Sequence, residues 1–424
     1  MSLPKSRDVV VVGGGILGLA SAYELARRGL SVLVIESYRT GAAQSGLNLG
    51  FVRQQGRDPA ELPLMMAANR RWRSLSAELG ADTEWVMGGN LRLTKDGSLA
   101  VRYEEWVRLA SSIGLDSRVV TGEEVNTILC AETGGFEIAI FTPSDGHADP
   151  VATCAAYASA ARCNGAEIVE GVAVTGLERT GSRISGVSTA IGEVRARAVV
   201  VAAGAGSARL CRSVGVRFPQ RLVRQSVVLT EPVKALTKAA AWTGELFVRQ
   251  DVQGRLRLAG ATRNEIVLDP GGIRDAPRFL ASYFANRSQL RIRADRARLL
   301  RAAGRSLLAP TGDAHLPVAD PEDIIYCLRT AARMFPALAE LRLQRAWAGE
   351  IDSTPDALAV LDAPVEHPGL VLATAMSGHG FGLSPAVGSV VAALVAGEEP
   401  GFDLRPFRLA RFHDGSHLEP AHLL

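Results

Sequence analysis

The chain has 424 residues, 43 of them glycine, with 47% hydrophobic and 21% charged residues. That length holds two or three domain-sized units with a sizeable core, and an apolar content near half excludes a disordered chain. Forty-seven Lys and Arg against 44 Asp and Glu leave a formal charge of +3, too balanced to suggest nucleic-acid binding.

Met1 to Asp8 is polar, and the apolar run that follows breaks into glycines after Val12, so no export signal is expected. Val9 to Val12 reads as a strand buried on both faces. It enters Gly13-Gly14-Gly15 directly, and Ile16 to Arg28 shows helical spacing with Gly29 as a stop. Ser31 to Ile35 is a second strand, ending in Glu36. Asp58 to Leu79 is predicted helical, Thr83 to Thr94 extended and Leu99 to Ile113 helical, with Thr121-x-x-Glu124 as a capping box. Asp149-Pro150 opens an alanine-rich helix to Cys163. Strands are predicted at Ala166–Glu170, Ala173–Arg179, Ile184–Thr189 and Val194–Ala202, the last running into Gly204 and a helix from Ser207. Leu222–Thr230, Leu246–Gln250 and Arg255–Ala261 alternate like a half-buried sheet. The chain closes with strand Leu370–Ala375, a glycine-rich turn and helix Ser384–Ala396. The apolar stretch from about Gly369 to Gly397 is interrupted by Ser377, His379, Ser384 and Pro385, which argues against a membrane span. The predicted class is α/β: a doubly wound, Rossmann-like domain interrupted by excursions into a more antiparallel one. Cys130, Cys154, Cys163, Cys211 and Cys327 never fall at CxxC spacing, so no metal site is expected and the thiols read as reduced core residues of a cytoplasmic protein.

Gly13-x-Gly15-x-x-Gly18 between a strand and a helix carries the first chemistry. The first glycine permits the tight turn, the second lets backbone approach a pyrophosphate, and the third allows close helix–strand packing. The helix N-terminus adds N–H donors and partial positive charge. Glu36, 18 residues after Gly18, is placed to accept from ribose hydroxyls. An adenine dinucleotide is expected here. Gly41 to Arg57 interleaves glycines with Ser45, Asn48, Arg53, Gln54 and Gln55; it is either a surface loop or a segment that borders a flat ring. Ser377 to Pro385 precedes the last helix, whose N-terminal N–H groups suit an anionic edge. Within it His379 is a ligand, a packed histidine or a titrating group.

These pieces, with "DGHADP", "ARAVVVAAGAGS", "RAWAGEIDSTPDALAVL", "SGHGFGLSPAVGSVVAALVAG" and "FDLRPFRLARF" in this order, resemble the D-amino-acid oxidase (glycine/sarcosine oxidase-like) family of FAD oxidoreductases over nearly the whole chain. The stretch "SGLNLGFVRQQGRDPAELPL" is most similar to β subunits of bacterial heteromeric opine oxidases and D-hydroxyproline or proline dehydrogenases. The resemblance implies an FAD-binding domain from residues 1–85, 146–220 and 340–424, and a substrate domain from 86–145 and 221–339. It also implies oxidation of a C–N bond in an amino acid or secondary amine by hydride transfer to flavin N5. Gly13, Gly15, Ile16, Leu17, Gly18 and Glu36 would hold the ADP half of FAD. Val172, Ala203 and Gly204 would lie on the adenosine side. Ser45, Asn48, Leu49 and Gly50 would border the isoalloxazine, and Gly349, Gly378, His379, Gly380 and Phe381 its pyrimidine edge. Arg53, Gln54, Glu350, Asp352 and His379 are the candidate catalytic residues.

Three departures from the family pattern matter. Where many relatives place a carboxylate-binding arginine after Trp347-Ala348-Gly349, this chain has Ile351 between Glu350 and Asp352. Either Arg53 or Arg249 clamps the substrate carboxylate, or the two acids receive a substrate cation. No cysteine follows Cys327, which implies non-covalent FAD. The span from about Leu268 to Glu322 is long and arginine-rich, holding Arg287, Arg291, Arg293, Arg296, Arg298, Arg301 and Arg305; it is a solvated face or a docking site for partner subunits. The lysines, Lys5, Lys95, Lys234 and Lys238, lie on no flavin-facing strand, unlike the oxygen-activating lysine of sarcosine-oxidase-like relatives, so a dehydrogenase is expected over an oxidase. The competing reading is an electron-transfer or assembly flavoprotein without substrate chemistry. Expected partners are an amine substrate and other subunits, without nucleic acid or membrane span, in the cytoplasm or at the inner face of the membrane.

Overall fold

The structure is a computed structural model that describes residues 3–130, 135–136, 138–268, 270–294 and 317–419. Arg296, Arg298, Arg301 and Arg305 of the arginine-rich span lie outside the described residues.

The run of valines at the start of the chain behaves as its sequence requires. Val9, Val10 and Val11 of strand Ser6–Val12 are buried. This strand pairs in parallel with Val32–Ile35 on one side and Gly192–Val201 on the other. The parallel series is completed by Glu167–Val169 beyond Val32–Ile35 and by Leu370–Thr374 beyond Gly192–Val201. Val360–Asp362 adds an antiparallel edge, and the hairpin of Val174–Thr180 and Arg183–Thr189 leans on Gly192–Val201. Val12 is in register with Ile35 and Val201, so these central strands end together and open a crevice above their carboxyl ends. Helix Ile16–Arg27 packs against helices Pro150–Cys163 and Gly380–Ala396 on one face of this sheet.

The second sheet has ten strands among the described residues, and Arg221–Pro232 is its axis. That strand pairs antiparallel with Arg255–Gly260, Asn264–Leu268 and Leu343–Ser353. The sheet extends through Leu246–Gln250, Ala240–Trp242, Asn90–Thr94, Ile138–Thr142 and Arg118–Thr121. The expected antiparallel sheet proves mixed. Ala240–Trp242 runs parallel to Asn90–Thr94, and Leu290–Ala294 parallel to Asn264–Leu268. Val228, Val248, Leu256 and Leu258 pack with Cys327, Ala331 and Met334 of helix Pro321–Met334.

Local differences from the sequence expectation have local causes. The helix expected over 58–79 divides into Leu62–Trp72 and Leu75–Leu79. Only Asn90–Thr94 of the expected extended segment joins a sheet; Gly88 and Gly89 ahead of it lie hard against Lys238 and Phe141. Thr121 does cap its helix, but its side chain makes no capping bond, whereas Asp149 Oδ1 accepts from the N–H groups of Val151 and Ala152. The final helix begins at Gly380 rather than after the glycines. Pro385 cannot donate to the carbonyl of Phe381, and Ser384 Oγ supplies that bond at 2.9 Å, so the proline is absorbed within the helix. Among the described residues no helix is long and apolar enough to cross a membrane, and no group of His, Cys, Asp and Glu is arranged to hold a metal.

Candidate active site

The glycine turn is shaped by space more than by backbone angle. Gly13 has φ +106°, and a Cβ there would stand 2.5 Å from the carbonyl oxygen of Ala202. A Cβ on Gly18 would lie 1.9 Å from the oxygen of Gly13, so the helix sits directly on the turn. Gly15 has an ordinary φ of −75°. Its side-chain space belongs to Ser45, whose Oγ would be 2.9 Å from a Cβ and accepts from Ile16 N–H at 2.8 Å. Glu36 is buried at the end of its strand; Oε2 accepts from Gly14 N–H at 2.6 Å and Oε1 from Tyr38 N–H at 2.8 Å.

A cavity of 1770 Å³ runs from this turn to the second sheet. Gly13, Gly15, Ile16, Leu17 and Glu36 line it, as do Ser45, Asn48, Leu49, Gly50, Ala203 and Gly204. Arg53, Gly349, Glu350, Asp352, Gly378, His379, Gly380 and Phe381 line it as well. Gly18 packs beneath the turn, as expected. Val172 stands behind the wall, its N–H donating to Glu36 O at 3.0 Å, and its neighbours Ala173 to Thr175 face the cavity instead.

Gln54 is a correction. Its N–H and Nε2 both donate to Asp145 Oδ1, at 2.7 and 3.0 Å, so the side chain turns away from the cavity. Gln55 N–H donates to Asp145 Oδ2 at 3.1 Å. Asp145 thereby anchors the loop that presents Arg53, and burial pushes its carboxyl up to about 6. Arg53 donates through Nη1 to Gln55 O at 2.6 Å; burial, with Arg57 and Arg92 nearby, lowers its guanidinium to about 9. Arg249, the other candidate clamp, is locked behind the loop, donating through Nε to Leu49 O at 2.6 Å with Nη1 beside His147 Nδ1 at 3.0 Å.

Glu350 and Asp352 share a strand face, as alternation requires, yet neither is placed to receive a substrate cation. Glu350 Oε1 is 3.3 Å from Nη2 of Arg224, its cross-strand partner. Asp352 is buried, with Oδ1 accepting from Gln44 Nε2 at 3.0 Å and Oδ2 from Gln220 Nε2 at 3.1 Å and Ala375 N–H at 3.0 Å. The alternative in which these acids receive a substrate cation gains no support, because the chain's own donors bond both carboxylates.

His379 meets a residue that the sequence reading passed over. Its Nδ1 lies 2.8 Å from Oε2 of Glu61, and Glu61 Oε1 lies 3.6 Å from Nε of Arg57. Both partners sit in the quoted "RQQGRDPAELPL", but Glu61 looked like an ordinary helical acid there. Phe381 rests against Trp72, whose Nε1 donates to Gly382 O at 2.8 Å.

The residues fit FAD. The glycine-cleared turn and helix N-terminus suit a pyrophosphate, the Glu36 carboxylate suits ribose hydroxyls, and the same cavity is lined by the start of the last helix and a half-buried guanidinium.

Comparison with known proteins agrees. The mitochondrial sarcosine dehydrogenase of Homo sapiens is 28% identical over 55% of this chain, which spans about a quarter, 26%, of that protein. Sarcosine oxidase subunit beta of Rhizobium meliloti is 25% identical, the match covering 96% of this chain and 89% of that one. The L-amino acid deaminase of Proteus myxofaciens, solved in complex with anthranilate, superimposes with a TM-score of 0.90 at 26% identity, covering 97% of this chain and 95% of that one. The profile of the DAO family, FAD dependent oxidoreductase, matches residues 8–394, and the chain belongs to that family.

Proposed function

We propose that this chain is the catalytic subunit of a heteromeric dehydrogenase that oxidises a C–N bond in a carboxylate-bearing secondary amine or amino acid. The observation that carries this reading is Arg53, a half-buried guanidinium facing the same cavity as the glycine turn. The FAD-binding part is drawn from residues 1–85, 146–220 and 340–424, and the substrate part from 86–145 and 221–339. Gly13, Gly15, Ser45 and Glu36 would hold the ADP half, with Gly378 to Phe381 at the flavin end. FAD, when bound, supplies the two-electron oxidation. The protein's share is alignment and electrostatics. Arg53 orients the carboxylate, Asp145 holds the Arg53 loop in place, and Trp72 and Phe381 keep that end of the cavity dry. No cysteine among the described residues lines the cavity, which supports non-covalent binding. Lys5, Lys95, Lys234 and Lys238 are all absent from its lining, which supports a dehydrogenase over an oxidase. Membership of a larger complex is supported by the likeness to sarcosine oxidase subunit beta.

A second reading keeps the flavin but assigns an electron-transfer or assembly role; Ile351 favours it, at the place where many relatives carry the carboxylate arginine. One experiment separates them. Anaerobic addition of carboxylated secondary amines to the FAD-loaded chain should bleach its visible band, and acid precipitation should release the flavin to the supernatant. A band that no amine bleaches favours the second reading, and a protein that binds no FAD overturns both.

A further inference from the structure

His379 and Glu61 are 318 residues apart in sequence and meet beside the cavity that His379 lines. Glu61 is fully buried just ahead of helix Leu62–Trp72, and Arg57 beside it is 4% exposed. Among the described residues no group bonds His379 Nε2, and 19% of the side chain stays accessible in a residue that lines the cavity. The charged groups facing the ring are Glu61, Arg57 and Arg53. Burial, then Arg57, lowers the imidazole below its ordinary range despite Glu61, so the ring is neutral at neutral pH. Burial opposes ionisation of Glu61, but the charges of Arg57 and Arg53 and the hydrogen bond from His379 outweigh it and hold the carboxyl below its usual range. A neutral imidazole beside an ionised carboxylate carries its proton on the nitrogen that faces it. That nitrogen is Nδ1, which leaves a bare lone pair on Nε2.

The geometry points to His379 Nε2 as the acceptor of the proton that a substrate ammonium must lose before oxidation, with Glu61 as the positioning residue that fixes the Nδ1–H tautomer. This rests on the amine-oxidoreductase reading above. The step balances without a redox partner. One N–H bond of the substrate cation breaks, its electron pair stays on nitrogen, the proton joins Nε2, and Glu61 offsets the new positive charge.

The test has two parts. Histidine-selective 15N NMR on the FAD-free chain reports the tautomer directly, with His379→Asn identifying the signal among seven histidines. The parent should show a protonated Nδ1 and a bare Nε2 at neutral pH, and Glu61→Gln should move the population toward the other tautomer. In the FAD-loaded chain, His379→Asn should lower kcat/KM at neutral pH by about 100-fold. That deficit should shrink as the pH rises to where the substrate amine deprotonates unaided. Glu61→Gln should lower kcat/KM about tenfold and displace the acid limb of the pH profile. A protonated Nε2 in the parent, or a His379→Asn deficit that is equal at every pH, overturns the proposal. If His379→Asn loses FAD, the parent tautomer and the Glu61→Gln profile decide. If no amine reduces the FAD-loaded parent, the functional reading fails, and the tautomer measurement still decides whether Glu61 positions the ring.

Discussion

The side-chain amide of Gln44 donates to Oδ1 of Asp352 across 3.0 Å, joining the loop after the first βαβ unit to the end of the long strand Leu343–Ser353. The other oxygen of that carboxylate takes Gln220 Nε2 and Ala375 N–H, and Ser377 N–H donates to the Asp352 carbonyl at 2.9 Å. One buried acid therefore holds together four segments around the cavity. Two belong with the first sheet and two with the second.

Removing that acid should loosen the site before it affects chemistry. Asp352→Ala leaves the buried Ala375 N–H without its acceptor and takes one of two acceptors from each of the part-buried Gln44 and Gln220 amides. An orphaned buried donor costs roughly 1–3 kcal/mol, so a loss of that order in unfolding free energy is expected, together with weaker FAD retention. Urea unfolding followed by tryptophan fluorescence checks this. A variant as stable as the parent would show that Asp352 is not a latch.

Asp145 makes a statement about pH. Its carboxyl is pushed up to about 6 by burial, against an ordinary value of 3.8. A folded-state value above the unfolded one means that its contribution to stability is fully present below pH 3.8 and is lost as the pH rises through 6. The upper limit for that loss is about 3 kcal/mol. Asp145→Asn cannot titrate, so the difference in unfolding free energy between parent and variant should change in that direction between pH 4 and 6.5. A difference that is flat across this window would place the Asp145 titration elsewhere.

How far the sequence alone carries depends on the range of each interaction. The glycine turn, the strand before it and the capping Asp149 are local, and each lies where spacing and residue type placed it. The mixed character of the second sheet was hidden, because Ala240–Trp242 and Asn90–Thr94 pair across about 150 residues with no pattern to announce a parallel partner. The early start of the last helix was hidden by Pro385, since the serine rescue of Phe381 O is invisible to a rule about prolines. In the site, Arg53 was legible as a cation in a polar, glycine-rich loop. Its neighbour Gln54 has the same local character and points the other way, because Asp145, 91 residues later, captures it. Glu350 and Asp352 share a face as alternation predicts, but which groups they pair with was not legible, since Arg224, Gln44 and Gln220 are distant in sequence.

The second and third glycines of the fingerprint should fail differently when substituted. Gly18→Ala places a methyl group 1.9 Å from the Gly13 oxygen, so backbone must move, and overpacking of this kind typically costs about 1–3 kcal/mol. Gly15→Ala meets only Ser45 Oγ at 2.9 Å, a side chain that can turn, at the cost of its bond to Ile16 N–H. Gly15→Ala should therefore stay close to the parent in stability while binding FAD more weakly, and Gly15→Val should abolish retention. Flavin-to-protein absorbance ratio and chemical unfolding, measured on the same preparations, separate the two effects. Stoichiometric flavin in Gly15→Val would show that the pyrophosphate lies elsewhere.

Arg53 should act on substrate and leave the cofactor alone. It lines the same cavity as Gly13, Gly15 and Glu36, the residues proposed to hold the ADP half, but belongs to a different loop. A guanidinium can meet a carboxylate with two parallel N–H···O bonds, and a lysine ammonium cannot reproduce that fork. Breaking a buried charged pair on one side typically costs on the order of 3–5 kcal/mol. Arg53 is only partly buried by its side chain's surroundings and already donates to Gln55 O, so the lower end applies. Arg53→Leu should therefore reduce kcat/KM for a carboxylated amine by about 100-fold, mostly through KM, with Arg53→Lys intermediate and FAD content unchanged in both. An amide or ester of the same substrate, lacking the negative charge, should lose little between parent and Arg53→Leu. Glu350→Gln serves as the contrast: its carboxylate pairs with Arg224, so the preference between cationic and neutral substrates should stay as in the parent. If Arg53→Leu handles the carboxylate and its ester with the same loss, Arg53 shapes the loop rather than binding the substrate.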